Sequence, residues 1–162
     1  MDKYFMHRIK EENGTFTTGI EVHDTKEAAV RSYHGYMKQG YGNPQFPNIT
    51  FVYCFVEGPD GKIDPVYRAM WQRPGLDVVN KIFHHHIRLD NGVFSKAIDV
   101  YNSQDEAEHH FHSEMEYGYG NPNHAKVSFQ DCKVTERLSP VVLMDETWVK
   151  PEEPAPEPET AE

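Results

Sequence analysis

Gly40-Tyr41-Gly42-Asn43-Pro44 returns 78 residues later as Gly118-Tyr119-Gly120-Asn121-Pro122. The same shift lays Asn13-Gly14 on Asn91-Gly92 and Cys54 on Cys132. Without gaps, residues 4–56 overlay 82–134. Phe5/Phe83, His7/His85, Ile9/Ile87, Phe16/Phe94, Ile20/Ile98, Ala29/Ala107, His34/His112, Met37/Met115 and Phe51/Phe129 are identical pairs. A long turn, a hairpin dipeptide and both cysteines kept in one register mark a tandem duplication. The period exceeds that of solenoid repeats, so it describes two small domains or two halves of one. A residue held in both copies is a candidate for shared structure or a shared site. A residue in one copy alone belongs to that copy.

Outward from the repeated turn, each copy spells the same unit. Phe5, His7 and Ile9 alternate along one stretch, and Phe16, Ile20 and Val22 along the next. Asn13-Gly14 between them supplies the positive φ angles of a tight hairpin. Thr25 and Ser103 stand at helix N-cap positions, and Ser103 with Glu106 spells a capping box. Ala29, Tyr33 and Met37 recur every four residues, as do Ala107, Phe111 and Met115, and each set predicts one apolar helical stripe. That stripe is expected to lie on the hairpin, with His7, Phe5 and Ile9 pointing toward it. Gly40 and Gly118 fall where a helix C-cap favours a left-handed residue, and the following Gly-Asn-Pro prevents continuation. A third strand is predicted near 48–57 and a fourth over 62–71, with counterparts from Val127 to Val134 and from Val141 to Trp148. The fold class is therefore α+β: a tandem ββαββ unit, an antiparallel sheet carrying one helix, with the copies related by a pseudo-two-fold. The first repeat spans 1–74 and the second 79–150. Residues 151–162 form an acidic Pro/Glu tail expected to be disordered.

Each half alone is near the size at which one core is marginal. The halves are expected to pack on each other, or the chain to form a homo-oligomer. No apolar run is long enough to span a membrane and no secretory signal opens the chain. With two cysteines at equivalent positions, free buried thiols in a reducing cytoplasm are expected. Sixteen basic and 26 acidic residues leave a net charge of −10. That sign argues against direct nucleic-acid binding and fits solubility, a basic partner, or mimicry of nucleic acid.

Histidine is the strongest chemical signal, with 10 residues. His84, His85 and His86 lie on one strand, and His109, His110 and His112 on the second helix. Only His7/His85 and His34/His112 occur in both copies. These four, with Cys54 and Cys132 nearby, are the candidate ligands of a divalent metal such as zinc. A Cys-His nucleophile pair is the catalytic alternative, although no nucleophile signature surrounds either cysteine. The plainer alternative is a core histidine bonded to the backbone beside a buried thiol. In the repeated turn, Tyr41, Tyr119, Asn43 and Asn121 are the candidate ligand or partner contacts. The turn lacks the glycine spacing and lysine of a phosphate loop.

No motif identifies a reaction. The sequence points to a non-enzymatic accessory protein that binds a protein partner and needs no cofactor. A variant is an acidic inhibitor of a basic partner, of the type mobile genetic elements encode. The alternative is a small-ligand or metal protein using a cleft between the repeats.

Overall fold

The alternating stretches form the strands expected of them. In a computed structural model of the chain, which describes residues 2–152, β1 (Tyr4–Glu12) pairs antiparallel with β2 (Thr15–His23). Asn13 (φ 52°) and Gly14 (φ 79°) provide the left-handed turn between them. Helix α1 (Lys26–Met37) starts at Thr25, whose side chain accepts from the Ala28 N–H. Then β3 (Ile49–Glu57) and β4 (Ile63–Gln72) complete a sheet of order β2-β1-β3-β4. The second repeat builds β5 (Ile82–Asp90), β6 (Val93–Tyr101), α2 (Gln104–Met115), β7 (Val127–Glu136) and β8 (Met144–Val149), with sheet order β6-β5-β7-β8. Ser103 accepts from the Glu106 N–H, one half of the predicted capping box. The tandem ββαββ organisation is thus present in full. Residues from 153 onward, which hold most of the expected disordered tail, lie outside the described residues. No described helix is long and apolar enough to cross a membrane.

The two sheets stack face to face, and each helix covers an outer face. The layers are therefore helix, sheet, sheet, helix. Ala29, Tyr33 and Met37 of α1 bury against Met6, Val52, Cys54 and Val56. Ala107, Phe111 and Met115 of α2 bury with Ile82, Cys132 and Val134. The third cluster lies between the sheets and joins Phe5, Ile9, Ile20, Phe51, Tyr53 and Phe55 to Phe83, Ile87, Ile98 and Phe129. Each such side chain removed from water stabilises by roughly 1.5–3 kcal/mol. This joint core answers the size problem of the single half.

The inner layer corrects one expectation. Phe5, His7 and Ile9 face the other repeat and not the helix. Strand side chains alternate between faces, and here both faces of the sheet are buried. The helix therefore takes the other set, including Met6. Contacts across the interface are reciprocal. Phe5 stacks on Phe129 at 5.7 Å, and Phe51 on Phe83 at 6.0 Å. Phe5 meets Phe94 edge-on at 5.7 Å, and Phe16 meets Phe83 at 5.8 Å. Residue pairs that exchange partners in this way define an isologous, two-fold-like interface.

The signature turn corrects a second expectation. Gly40 and Gly118 are not the left-handed residues. Positive φ falls on Tyr41 (60°), Gly42 (70°), Tyr119 (61°) and Gly120 (68°). Gly40 serves close packing instead: a Cβ there would sit 3.1 Å from the Trp71 ring and 3.3 Å from Val52. At Gly118 it would sit 3.2 Å from the Trp148 ring and 3.1 Å from Gln130 Cβ. Each glycine thus lets the post-helix turn dock on the tryptophan of the fourth strand.

Candidate functional site

The shared histidines of β1 and β5 meet at the centre of the sheet interface. His7 and His85 are fully or almost fully buried, and their Nδ1 atoms are 3.0 Å apart. Behind each ring stands a residue near the end of the third strand of its own repeat. His7 Nε2 contacts the Glu57 carboxylate, and His85 Nε2 lies 2.8 Å from Thr135 Oγ1. The partners assign the protons. A carboxylate only accepts, so His7 donates from Nε2 and accepts at Nδ1. His85 therefore donates from Nδ1 and accepts the Thr135 hydroxyl proton at Nε2. The chain of donors runs in one direction, from Thr135 through both rings to Glu57. Burial drives His7 down to about 3, with the Lys133 charge adding to it against Asp131 and Asp145. Burial likewise holds His85 well below its ordinary value, with His7 adding to it. Both rings are neutral near pH 7.

Further charge enters from the second repeat. On the inward face of β3, Tyr53 and Phe55 are apolar and His7 stacks on Phe55 at 4.1 Å. Their overlaid positions in β7 are Asp131 and Lys133, both buried. The Lys133 ammonium donates to Gly61 O at 2.6 Å, Asp131 Oδ1 at 3.0 Å and Asp145 Oδ1 at 2.7 Å. It also lies 3.3 Å from Glu57 Oε2. Thr147 donates to Asp131 Oδ1 at 2.6 Å. Burial opposes the ammonium, but attraction to Glu57, Asp131 and Asp145 holds its pKa above the ordinary lysine value. Burial raises Glu57 against the pull of Lys133. Burial and the adjacent Glu57 raise Asp131 well above its ordinary value. Two carboxylates beside one ammonium favour a proton held between them. A second cross-repeat lock stands just past the end of β7. Arg137 forks onto Glu11 at 2.6 and 3.0 Å and donates to Gln72 at 2.8 Å.

The histidine set named from sequence is divided by the fold. His7 and His85 come together, whereas His34 and His112 are exposed on the outer helices. The sheet separates the two pairs. The expected cleft between the repeats is packed core at His7 and His85, because both sheets turn large aromatics inward. Cys54 and Cys132 are free and buried, each in its own helix–sheet layer. Burial pushes the Cys54 thiol up to about 12 and raises that of Cys132 as well. A Cys-His nucleophile needs an accessible thiol within reach of a base. No Cys–His hydrogen bond forms among the described residues, and both thiols are sealed.

The turn residues divide differently. Asn43 donates to Lys38 O at 2.7 Å and accepts from the Gln45 N–H at 3.0 Å. Asn121 repeats this with Glu116 O at 2.8 Å and the Asn123 N–H at 3.0 Å. Both amides hold the turn. Tyr41 and Tyr119 project from it, 61% and 52% exposed, against Trp71 and Trp148 at centroid distances of 6.4 and 6.5 Å. Tyr119 also donates to the Glu146 carboxylate.

Glu57, Thr135, Asp131 and Lys133 escape sequence reasoning that relies on identical pairs, because they are the positions where the copies differ. One signal for them exists. Lys133 overlays Phe55 of the mostly apolar β3, and a charge at so buried a position requires buried partners. Compared with known proteins, the chain matches no family model, no curated protein and no solved structure.

Proposed function

We propose that the protein is a non-catalytic binding protein that engages a protein partner through its two repeated turns. The observation that carries this reading is the backbone of Tyr41 and Tyr119. A bulky residue in the left-handed region costs roughly 1–2 kcal/mol, and asparagine or glycine occupies it far more readily. Both copies nevertheless hold tyrosine there, with more than half of each side chain open to solvent. The asparagine two residues on holds the turn backbone, so the turn conformation itself does not call for a tyrosine. Exposed aromatics on a rigid turn are effective contact residues, since little side-chain freedom is lost on binding. Two such turns related by a pseudo-two-fold suit a partner that is itself two-fold or repeated. The net charge of −10 favours a partner with a basic face, and association with it should weaken as salt rises.

The test separates fold from contact. Tyr41→Asn with Tyr119→Asn should leave unfolding free energy unchanged or raise it. Proteins captured from native lysate by the parent chain should be lost to the variant. Destabilisation by 2 kcal/mol or more would make the tyrosines scaffold, and an unchanged captured set would move the contact elsewhere. Either result rejects the reading.

A further inference from the structure

The helix-facing side of the second sheet contains a histidine that the fold leaves unsatisfied. His84 is fully buried, and neither ring nitrogen has a hydrogen-bond partner. A neutral imidazole always carries one N–H and one lone pair, and leaving such a group buried and unpaired is costly. The overlaid residue in the first repeat is Met6, buried with no polar nitrogen to satisfy. Met6 demonstrates that this position needs only an apolar chain. The imidazole therefore answers to something other than packing.

Its neighbours supply a ligand set. His86 follows two residues along β5 on the same face, with ring centroids 4.9 Å apart. Asp99 is the cross-strand partner of His84 on edge strand β6. Its carboxylate lies 2.9 Å from His86 Nε2 and is 47% exposed. One ligand atom from each of the three residues lies within 4.8 Å of the others. Metal–ligand bonds of about 2.0–2.2 Å would require these atoms to close by roughly 1 Å, a change within side-chain rotation. The exposed carboxylate leaves a path from solvent. In the first repeat the same three positions hold Met6, Arg8 and Glu21, where Arg8 pairs with Glu21 at 3.5 Å. One copy thus neutralises the edge carboxylate with a guanidinium. The other places two imidazoles beside it.

We propose that His84, His86 and Asp99 bind one divalent zinc-class metal ion, with water completing its coordination. Two imidazoles and a carboxylate form a borderline donor set suited to zinc and poorly suited to calcium or magnesium. The metal supplies the acceptor that the His84 lone pair lacks, and it pins β6 to β5 beneath α2. The site is independent of the turns proposed to contact a partner.

The test uses untagged, chelator-treated full-length chain and zinc chloride alone. Titration calorimetry should show one ion per chain, and the unfolding temperature should rise with zinc concentration. His84→Met with His86→Arg installs the residues that the first repeat accommodates, so the variant should fold. It should lose the calorimetric event and the thermal shift. Cobalt in place of zinc should give visible ligand-field absorption in the parent chain and only the hydrated-ion spectrum in the variant. Absence of stoichiometric binding in the parent chain would overturn the proposal. So would binding and thermal shift retained in the variant, which would assign the ion to the exposed helix histidines.

Discussion

Lys133→Met removes the ammonium at the centre of the sheet interface while keeping a side chain of similar reach. Four oxygens now surround that ammonium, belonging to Gly61, Asp131, Asp145 and Glu57. Asp145 is 45% exposed, so water takes over at that oxygen. Glu57 and Asp131 are buried and have no such recourse. Breaking a buried pair from one side costs about 3–5 kcal/mol, a large share of a typical stability of about 5–15 kcal/mol. The loss should depend on pH. Both carboxylates already have pKa values above their ordinary range, and without Lys133 they rise further. The folded variant then binds more protons than its unfolded chain, so its stability rises as pH falls from neutral toward the ordinary carboxylate range. Urea unfolding followed by the fluorescence of Trp71 and Trp148 at pH 7 and pH 5 measures both effects. Adding Glu57→Gln and Asp131→Asn should restore most of the loss at pH 7, since no unpaired buried charge remains. A Lys133→Met chain within 1 kcal/mol of the parent at pH 7, or one equally destabilised at both pH values, would refute the reasoning.

Other outcomes follow from the same geometry. His7→Gln keeps a donor and an acceptor but does not titrate. The parent's advantage over it should therefore be complete above pH 6.5 and shrink as pH falls toward 3, by up to about 1.4 kcal/mol per pH unit. That sign follows from a folded His7 pKa of about 3 against an ordinary 6.5. Gly40→Ala forces a methyl against Trp71 and Val52 and should cost about 1–3 kcal/mol in urea unfolding, with Gly118→Ala behaving alike. Arg137→Met strands Glu11 in a largely buried fork and should cost about 1.5–3 kcal/mol. The thiols of Cys54 and Cys132 should resist an alkylating reagent in the native chain and react fully in urea, as mass spectrometry would show.

Most of the fold was legible because it depends on local signals repeated twice. Asn13-Gly14 marked the hairpin, Thr25 and Ser103 marked the helix starts, and Ala29/Tyr33/Met37 marked the buried stripe. All of them stand where the pattern placed them. The facing of His7 was not legible, because alternation distinguishes two faces of a strand without saying which covering each receives. In a four-layer stack both faces are apolar, so the helix and the other sheet compete for the same pattern. The site was less legible still. Identical pairs report what the two copies need in common, which is mostly core and turn. Lys133 opposite Phe55, Thr135 opposite Glu57 and His84 opposite Met6 are divergent pairs, and the buried chemistry gathers there. Residue type alone also could not reveal that Tyr41, and not Gly40, takes the left-handed backbone.

The meeting of His7 and His85 has a consequence for how such a protein differs from a dimer of its halves. Two identical chains would bring equivalent imidazoles to one axis with equivalent groups behind them. The bridging proton would then have two equal resting places, and the pair would be degenerate. Fusion into a single polypeptide lets a carboxylate stand on one side and a hydroxyl on the other. The degeneracy is lifted, and the interior acquires a permanent polarity that no symmetric assembly of either half would possess.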